Sequence, residues 1–233
     1  MKRFGMWMLP ALVTLAAVLV FTTPPANATA VLFLDDRVGN TKTITDGGVG
    51  DILASSGAVG YTGALGSWIV TVTVGQTYPA LGTPGTPQLA LNVYGLATDA
   101  ADLTVKFSES GFTSYGLNNI NYYSASTLEG VPGSISFDIY GDSGNTPLIN
   151  TLGLVSISGF SNDVLWSDSG TSSGLTFPGA PYSLTLVSNI SLDEAGSTSH
   201  SAGFAVPEPG TLILLGCGLL GLALAGERKK LRQ

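Results

Sequence analysis

The sequence predicts an all-β domain, an antiparallel β-sandwich of jelly-roll or immunoglobulin-like outline, between two apolar end segments. In the middle of the chain apolar residues alternate with polar ones, which is the pattern of strands with one buried face. Turn-forming clusters separate these runs, as at Gly82 to Pro87 and Gly141 to Pro147. No segment between residues 31 and 205 has a convincing helical period. The alternative architecture is a β-helix, although no fixed repeat length is visible.

The first element, residues 1–30, is predicted to be a signal peptide. Lys2 and Arg3 precede an apolar run, and small residues spaced A-x-A follow it. Cleavage after Ala28 and cleavage after Ala30 both fit this pattern. The alternative is a membrane helix that is retained, but the prolines within and after the run suit a cleaved segment better.

Five runs then carry the alternation that predicts strands in a domain spanning residues 31–205. The last run keeps one phase across Ser188, and the stretch SHSAGFA (residues 199–205) is interpreted either as a final strand or as the start of a linker. The apolar positions expected to face the core are Trp68, Val70, Val72 and Val74; Leu89, Leu91 and Val93; Leu103, Val105 and Phe107; Ile135, Phe137 and Ile139; and Tyr182, Leu184, Leu186, Ile190 and Leu192.

The composition argues against nucleic acid as a partner. Residues 31–206 contain fourteen Asp and Glu but only three basic residues, Arg37, Lys42 and Lys106, which gives a net charge of −11. Such a domain has too few cations to replace the counterions of a phosphate backbone. The only cysteine, Cys217, lies in the C-terminal apolar segment. We therefore expect neither a disulfide nor a thiol nucleophile in the β domain.

The single histidine, His200, limits the catalytic chemistry that the sequence predicts. A Ser-His-Asp arrangement needs a histidine held rigidly beside the nucleophile, and we expect no rigid site so close to the C-terminal apolar segment. Zinc needs three or four ligands, usually His or Cys. Neither a G-x-S-x-G motif nor a P-loop occurs. We predict no catalytic residues and, calcium aside, no cofactor.

Two features remain compatible with carbohydrate chemistry. Glycoside hydrolysis requires only two carboxyl groups at a suitable separation, and acids such as Glu109 and Glu129 are available. Tryptophan side chains stack on sugar rings; Trp68, in phase with a valine stripe, is interpreted as a core residue, whereas Trp166, beside a loop, is a candidate for glycan stacking.

A candidate calcium site lies in TDGGVGD, where Asp46 and Asp51 flank three glycines. Two carboxylates and the carbonyls of a flexible turn suit a hard cation such as Ca²⁺. The alternative interpretation is a glycine-rich turn that happens to be flanked by acids. Asp35 and Asp36 add negative charge nearby in the sequence.

The last element, residues 206–233, has three parts. Pro207 and Pro209 predict an extended segment from Val206 to Pro209, because proline disfavours helix at the preceding residue. Thr211 to Gly226 is uncharged and would span roughly 24 Å as a helix, just enough for a thin bilayer. Four basic residues follow and are predicted to stay in the cytoplasm: Arg228, Lys229, Lys230 and Arg232.

This order of triplet, apolar helix and basic cluster resembles the PEP-CTERM sorting signal of exported bacterial proteins. The resemblance implies that Pro207, Glu208 and Pro209 are recognised by an exosortase, a membrane-embedded cysteine transpeptidase, and that the chain is cleaved near this triplet. The alternative is a permanent C-terminal anchor. The region from TKTITDGGVGD to KFSESGFT is also similar to PEP-CTERM proteins of no established function.

Two classes of function follow from these features and from what the resemblance implies. The first is a non-catalytic surface or biofilm matrix protein of a Gram-negative bacterium, exported by the translocon, cleaved by signal peptidase, held transiently in the inner membrane and then sorted by exosortase. The second is a carbohydrate-binding module or weak hydrolase acting on the exopolysaccharide of the cell itself. In both, the final location is the cell surface or the extracellular matrix.

Overall fold

The computed structural model describes residues 29–113, 119–129, 131–158, 165–175 and 180–207. The first 28 residues of the predicted signal peptide lie outside the described residues, as do Glu208, Pro209, the predicted span Thr211 to Gly226 and the basic cluster after it. Within the described ranges, no helix has the length and apolar character needed to cross a bilayer.

The described residues form two six-stranded sheets, as predicted for a β-sandwich. One sheet, sheet A, has the strand order β2-β1-β6-β11-β8-β9, and the other, sheet B, has the order β10-β7-β12-β5-β4-β3. The strands are β1 (Val31–Asp35), β2 (Thr41–Thr45), β3 (Ala58–Leu65), β4 (Trp68–Gln76), β5 (Gln88–Ala97), β6 (Ala101–Phe112), β7 (Asn119–Leu128), β8 (Gly133–Asp142), β9 (Leu152–Ser158), β10 (Leu165–Ser173), β11 (Tyr182–Leu192) and β12 (Gly196–Ala205).

The strand connections distinguish between the architectures that the sequence left open. Every pairing between named strands in the described residues is antiparallel. Successive strands from β5 to β8 lie alternately in sheet B and sheet A, and β11 and β12 again lie in different sheets. This arrangement excludes the β-helix and favours the jelly-roll form of the sandwich.

The core lies between the sheets and contains the predicted apolar stripes. Trp68 is 1% exposed, and its indole N–H donates to the carbonyl of Asp102, 2.9 Å away. One predicted position is wrong: Val74 is only half buried, and Gly75 takes the inward position instead. A register shift between Val72 and Val74 reverses the side-chain alternation of β4 at this point.

The stretch SHSAGFA is part of β12, a central strand of sheet B that pairs with both β5 and β7. His200 is therefore fully buried, and the expectation that it lies outside any rigid part of the structure was wrong. Its Nδ1 lies 2.7 Å from the hydroxyl of Ser126 on β7, and its Nε2 lies 2.7 Å from the hydroxyl of Ser188 on β11. Since β11 belongs to sheet A, the imidazole joins the two sheets through the core.

We predict that Gly95→Ala destabilises the sandwich, because a Cβ at this inward position would lie 2.8 Å from the Trp68 ring. Overpacking of this kind typically costs about 1–3 kcal/mol. Gly153→Ala is the matched control, since its Cβ would meet only the Tyr140 ring at 3.8 Å. Urea unfolding should show a lower midpoint for Gly95→Ala alone; equal midpoints for the two variants would contradict this packing.

A second prediction concerns the pH dependence of stability. Burial lowers the pKa of His200 to about 4, from 6.5. Between these values the unfolded chain binds a proton that the folded chain does not, so this residue's contribution to stability is lost as the pH falls from about 6.5 to about 4. The loss corresponds to roughly 3 kcal/mol.

The test is the difference in free energy of unfolding between the wild-type protein and His200→Asn, measured in urea. The difference should favour the wild type at pH 7 and shrink by roughly 3 kcal/mol by pH 4, because asparagine does not titrate. The contributions of the other titrating groups to the free energy of unfolding are the same in both proteins and cancel in the difference. A difference that stays constant over this range would show that His200 is not held in its neutral form.

Candidate functional site

The junction between the sandwich and the predicted sorting triplet contains no linker. β12 ends at Ala205, and the next residue, Val206, is only 7% exposed. The N–H of Val206 donates to the carbonyl of Pro87, 2.9 Å away, so this residue is still part of the folded body. Pro207 follows immediately and is exposed. The first residue of the triplet is thus presented directly at the end of a central strand.

A groove of about 520 Å³ crosses the outer face of sheet A, the face turned away from the core. Two of the three basic residues of the β domain border it, together with two carboxylates, two amides and a tyrosine. Its lining residues are Asp35, Arg37, Thr104, Lys106, Asp138, Tyr140, Asn150, Val187 and Asn189.

Arg37 organises one side of this groove. Its Nε donates to the hydroxyl of Thr104 at 2.8 Å, and its Nη2 donates to the side-chain oxygen of Asn189 at 2.5 Å. The amide group of Asn189 in turn donates to the hydroxyl of Ser136 at 3.2 Å. These contacts connect the β1–β2 loop to β6, β11 and β8. Beside them, the Lys106 ammonium group lies 6.0 Å from the centre of the Phe33 ring.

The loop between β8 and β9 contributes Asn150 to the groove and is fixed by Asp142. The Asp142 carboxylate accepts hydrogen bonds from the N–H of Thr146 at 3.0 Å and from the hydroxyl of Thr151 at 2.9 Å. These bonds, the former above all, hold the pKa of Asp142 below its usual value. The hydroxyl of Ser108 also accepts a hydrogen bond from the N–H of Leu148. The loop is therefore an ordered part of the outer face.

The turn that contains Asp46 and Asp51 uses both carboxylates to hold its own backbone. Asp46 accepts a hydrogen bond from the N–H of Gly57 at 2.6 Å. Asp51 accepts three, from the N–H groups of Gly47, Leu53 and Gly60. These hydrogen bonds give both acids a structural role in the turn. The binding of calcium to Asp46 and Asp51 stays a prediction. No cluster of three or more His, Cys, Asp or Glu suited to a metal occurs in the described ranges.

A third acid, Glu109 of β6, lies near Asp46. It is fully buried, and neither of its carboxylate oxygens has a hydrogen-bond partner. Burial raises the pKa of Glu109 to about 8; the nearby Thr77 hydroxyl opposes this rise, and the negative charge of Asp46 adds to it. The structure thus brings together Glu109, Thr77 and Asp46, which are distant in the sequence.

Sequence reasoning did not select this grouping or the groove on sheet A. One usable signal was present, because Glu109 continues the inward phase of Leu103, Val105 and Phe107 in β6. A carboxyl group in phase with an apolar series indicates an ionisable side chain that points into the core. The groove had no such signal, since its residues come from five separate segments of the chain.

Trp166, the predicted glycan-stacking residue, lies on β10 at the edge of sheet B. Its side chain is half buried and packs against the hydrophobic core. It is not among the residues that line the groove on sheet A. A stacking role for Trp166 stays a prediction.

Comparison with solved structures finds distant similarities to several proteins. A carbohydrate-binding module of the β-sandwich superfamily is 9% identical, with a TM-score of 0.35, over 75% of this chain and 83% of that one. A xylan-binding domain from Paenibacillus barcinonensis is 14% identical, with a TM-score of 0.31, over 66% and 89%. The enzymatically active domain of tailspike protein 4 from bacteriophage CBA120 is 12% identical, with a TM-score of 0.32, over 60% of this chain but only 19% of that one. With TM-scores below 0.5, these similarities carry no conclusion about this chain.

The comparison of sequences bears on the C-terminal part of the chain. No curated protein matches the sequence. A family model, the PEP-CTERM protein-sorting motif, matches residues 205–229, which begin at the last residue of β12. The chain therefore carries the sorting motif of the PEP-CTERM family of exported proteins.

Proposed function

We propose that this chain is a non-catalytic surface or biofilm matrix protein whose β-sandwich is delivered to its destination by an exosortase. The observation that carries this proposal is the position of the sorting motif, which follows β12 at Ala205 without a linker. The folded domain is therefore the part that is delivered. The residues from Pro207 onward are the segment that the processing enzyme recognises. Cleavage near the triplet releases the complete sandwich, because both sheets are formed before Pro207.

At the other end of the domain, we infer that signal peptidase cleaves after Ala28. Ala30 is 1% exposed and packs in the core, and its carbonyl accepts a hydrogen bond from the N–H of Asp46. Cleavage after Ala30 would remove both contacts. The transient inner-membrane stage then depends on the apolar segment Thr211 to Gly226 and the four basic residues after it.

The burial of His200 supports a non-catalytic role. Both of its ring nitrogens are engaged by serine hydroxyls inside the core, so the side chain is out of reach of a polymeric substrate. A weak polysaccharide hydrolase is the catalytic alternative, since Asp35 and Asp138 both line the groove on sheet A. A reducing-sugar assay with the polysaccharide of the producing cell distinguishes the two.

The sorting proposal predicts the behaviour of a triplet variant. Pro207→Ala combined with Pro209→Ala removes the two residues that enforce an extended segment, and we expect the protein to remain in the inner membrane. The measurement is cell fractionation followed by immunoblotting. Wild-type protein in cells that lack the exosortase should show the same retention.

Pro147→Ala in the β8–β9 loop is the matched control, because it removes a proline outside the motif. It should reach the surface as the wild type does. If the double variant leaves the inner membrane as efficiently as this control, the triplet is not the recognition element and the proposal fails.

A second candidate function, binding of exopolysaccharide, is favoured by the groove on sheet A. Its two cations, two carboxylates and two amides give balanced charge and many hydrogen-bonding groups, which suits a hydroxyl-rich ligand without strong net charge. Tyr140 and Phe33 add aromatic surface to the same face of the sheet. We infer that a segment of the polysaccharide lies across β6, β11 and β8.

This candidate is tested by co-sedimentation of the full chain, purified in detergent, with the polysaccharide of the producing cell. Tyr140→Ala should weaken binding roughly fivefold, because an aromatic contact of this kind contributes about 1 kcal/mol. Tyr94→Ala is the matched control, since Tyr94 is 41% exposed and lies outside the groove.

Three outcomes are informative. Loss of binding in Tyr140→Ala alone supports the groove, whereas loss in Trp166→Ala alone places the contact at β10. Absence of binding by the wild-type protein leaves the domain as a spacer or structural element of the matrix and overturns this second candidate.

A further inference from the structure

Among the described residues, the buried side-chain polar atoms that lack a hydrogen-bond partner are few, and most of them lie close together. In the described residues four buried side-chain atoms have no hydrogen-bond partner: both carboxylate oxygens of Glu109, the hydroxyl of Thr77 and the hydroxyl of Ser124. Three of these four belong to the grouping around Glu109. Since leaving a buried polar group unpaired costs about 1–3 kcal/mol, and more for a charged group, such a concentration calls for a physical explanation.

The backbone fixes this grouping in position. Glu109 continues the inward-facing series Leu103, Val105 and Phe107 of β6, and Thr77 follows β4 of the opposite sheet. The N–H of Thr77 donates to the carbonyl of Gly57 at 2.8 Å, while the N–H of Gly57 donates to the Asp46 carboxylate at 2.6 Å. One glycine therefore holds both the hydroxyl-bearing residue and the second carboxylate beside Glu109.

Gly57 itself permits this close arrangement. Its φ of +77° lies in the left-handed region that favours glycine. A Cβ at this position would approach the carbonyl oxygen of Tyr78 to 2.5 Å, so no other residue fits without a shift of the backbone. The turn is thus built to bring two chain segments together around the acids.

The basic side chains of the domain do not neutralise these acids. Arg37 and Lys106 line the groove on the outer face of sheet A, and Lys106 points away from the core while Glu109, three residues later on the same strand, points into it. Lys42 is exposed on the edge strand β2. Both nitrogens of His200 are engaged by serines.

We propose that Glu109, Asp46 and Thr77 form a binding site for Ca²⁺ between the two sheets. All the atoms available to coordinate a metal here are oxygens. Hard cations prefer oxygen ligands over the nitrogen and sulfur ligands that suit zinc. Two carboxylates balance the charge of one divalent ion. Calcium also accepts hydroxyl groups, main-chain carbonyls and water in irregular geometry, whereas magnesium requires a near-ideal octahedron.

This site differs from the one that the sequence pattern predicted. The carboxylate of Asp51 accepts three backbone N–H groups and shapes the turn, whereas Glu109 replaces it as the second acidic ligand. The ion would join β6 of sheet A to the segments around β4 and β2. We expect an affinity in the range of extracellular calcium modules, with a Kd on the order of 10⁻⁴ to 10⁻³ M.

The test is a thermal unfolding series on the full chain in detergent, treated with a chelator and then titrated with CaCl₂. Because an ion that binds only the folded state stabilises it, 10 mM Ca²⁺ should raise the Tm of the wild type by roughly 5 °C. Glu109→Gln should lose this response. Glu194→Gln, at an exposed turn between β11 and β12, is the matched control and should keep it.

Glu109→Gln remains informative even without calcium, because glutamine has nearly the size of glutamic acid and cannot ionise, so the variant should fold. In chelator at about pH 9, above the pKa of Glu109, the variant should unfold at a higher temperature than the wild type because glutamine removes a buried charge, and in 10 mM Ca²⁺ the order should reverse. The proposal is overturned if the wild type does not respond to calcium, if Glu109→Gln responds equally, or if Mg²⁺ produces the same shift at the same concentration.

Discussion

The structure depends above all on the central position of its last strand. β12 pairs with β5 on one side and β7 on the other, and His200 on the same strand reaches across the core to Ser188 in sheet A. Sheet B would fall into two parts without this strand. The sandwich is therefore complete only after Ala205, one residue before the chain reaches Val206 and the sorting triplet.

Two buried polar side chains, His200 and Glu109, differ in whether the chain itself supplies their hydrogen-bond partners. The imidazole of His200 is satisfied entirely by the chain, through one serine on each side. Glu109 is also fully buried, but its carboxylate has no partner among the described residues. The first group is paired within the fold, whereas the second is the place where we propose that a calcium ion binds.

Much of the architecture was predictable, because a period of two is visible wherever large apolar residues mark the inward face, as from Leu103 to Phe107. β12 was harder to recognise, since its inward positions include His200 and Ala202 among small residues. The reversal at Val74 depends on a bulge, which a local pattern does not reveal. The grouping of Asp46, Thr77 and Glu109 depends on the packing of sheet against sheet, so no single segment contains it.

If the sorting motif delivers an intact sandwich, the C-terminus of the surface protein should lie just beyond β12. The most direct measurement is mass spectrometry of the C-terminal peptide of the protein recovered from the cell surface. We expect this peptide to contain all of β12 through Ala205 and to end within a few residues of the triplet, whereas protein from cells that lack the exosortase should extend to Gln233. Surface protein that still ends at Gln233, or that ends before β12, would contradict the account.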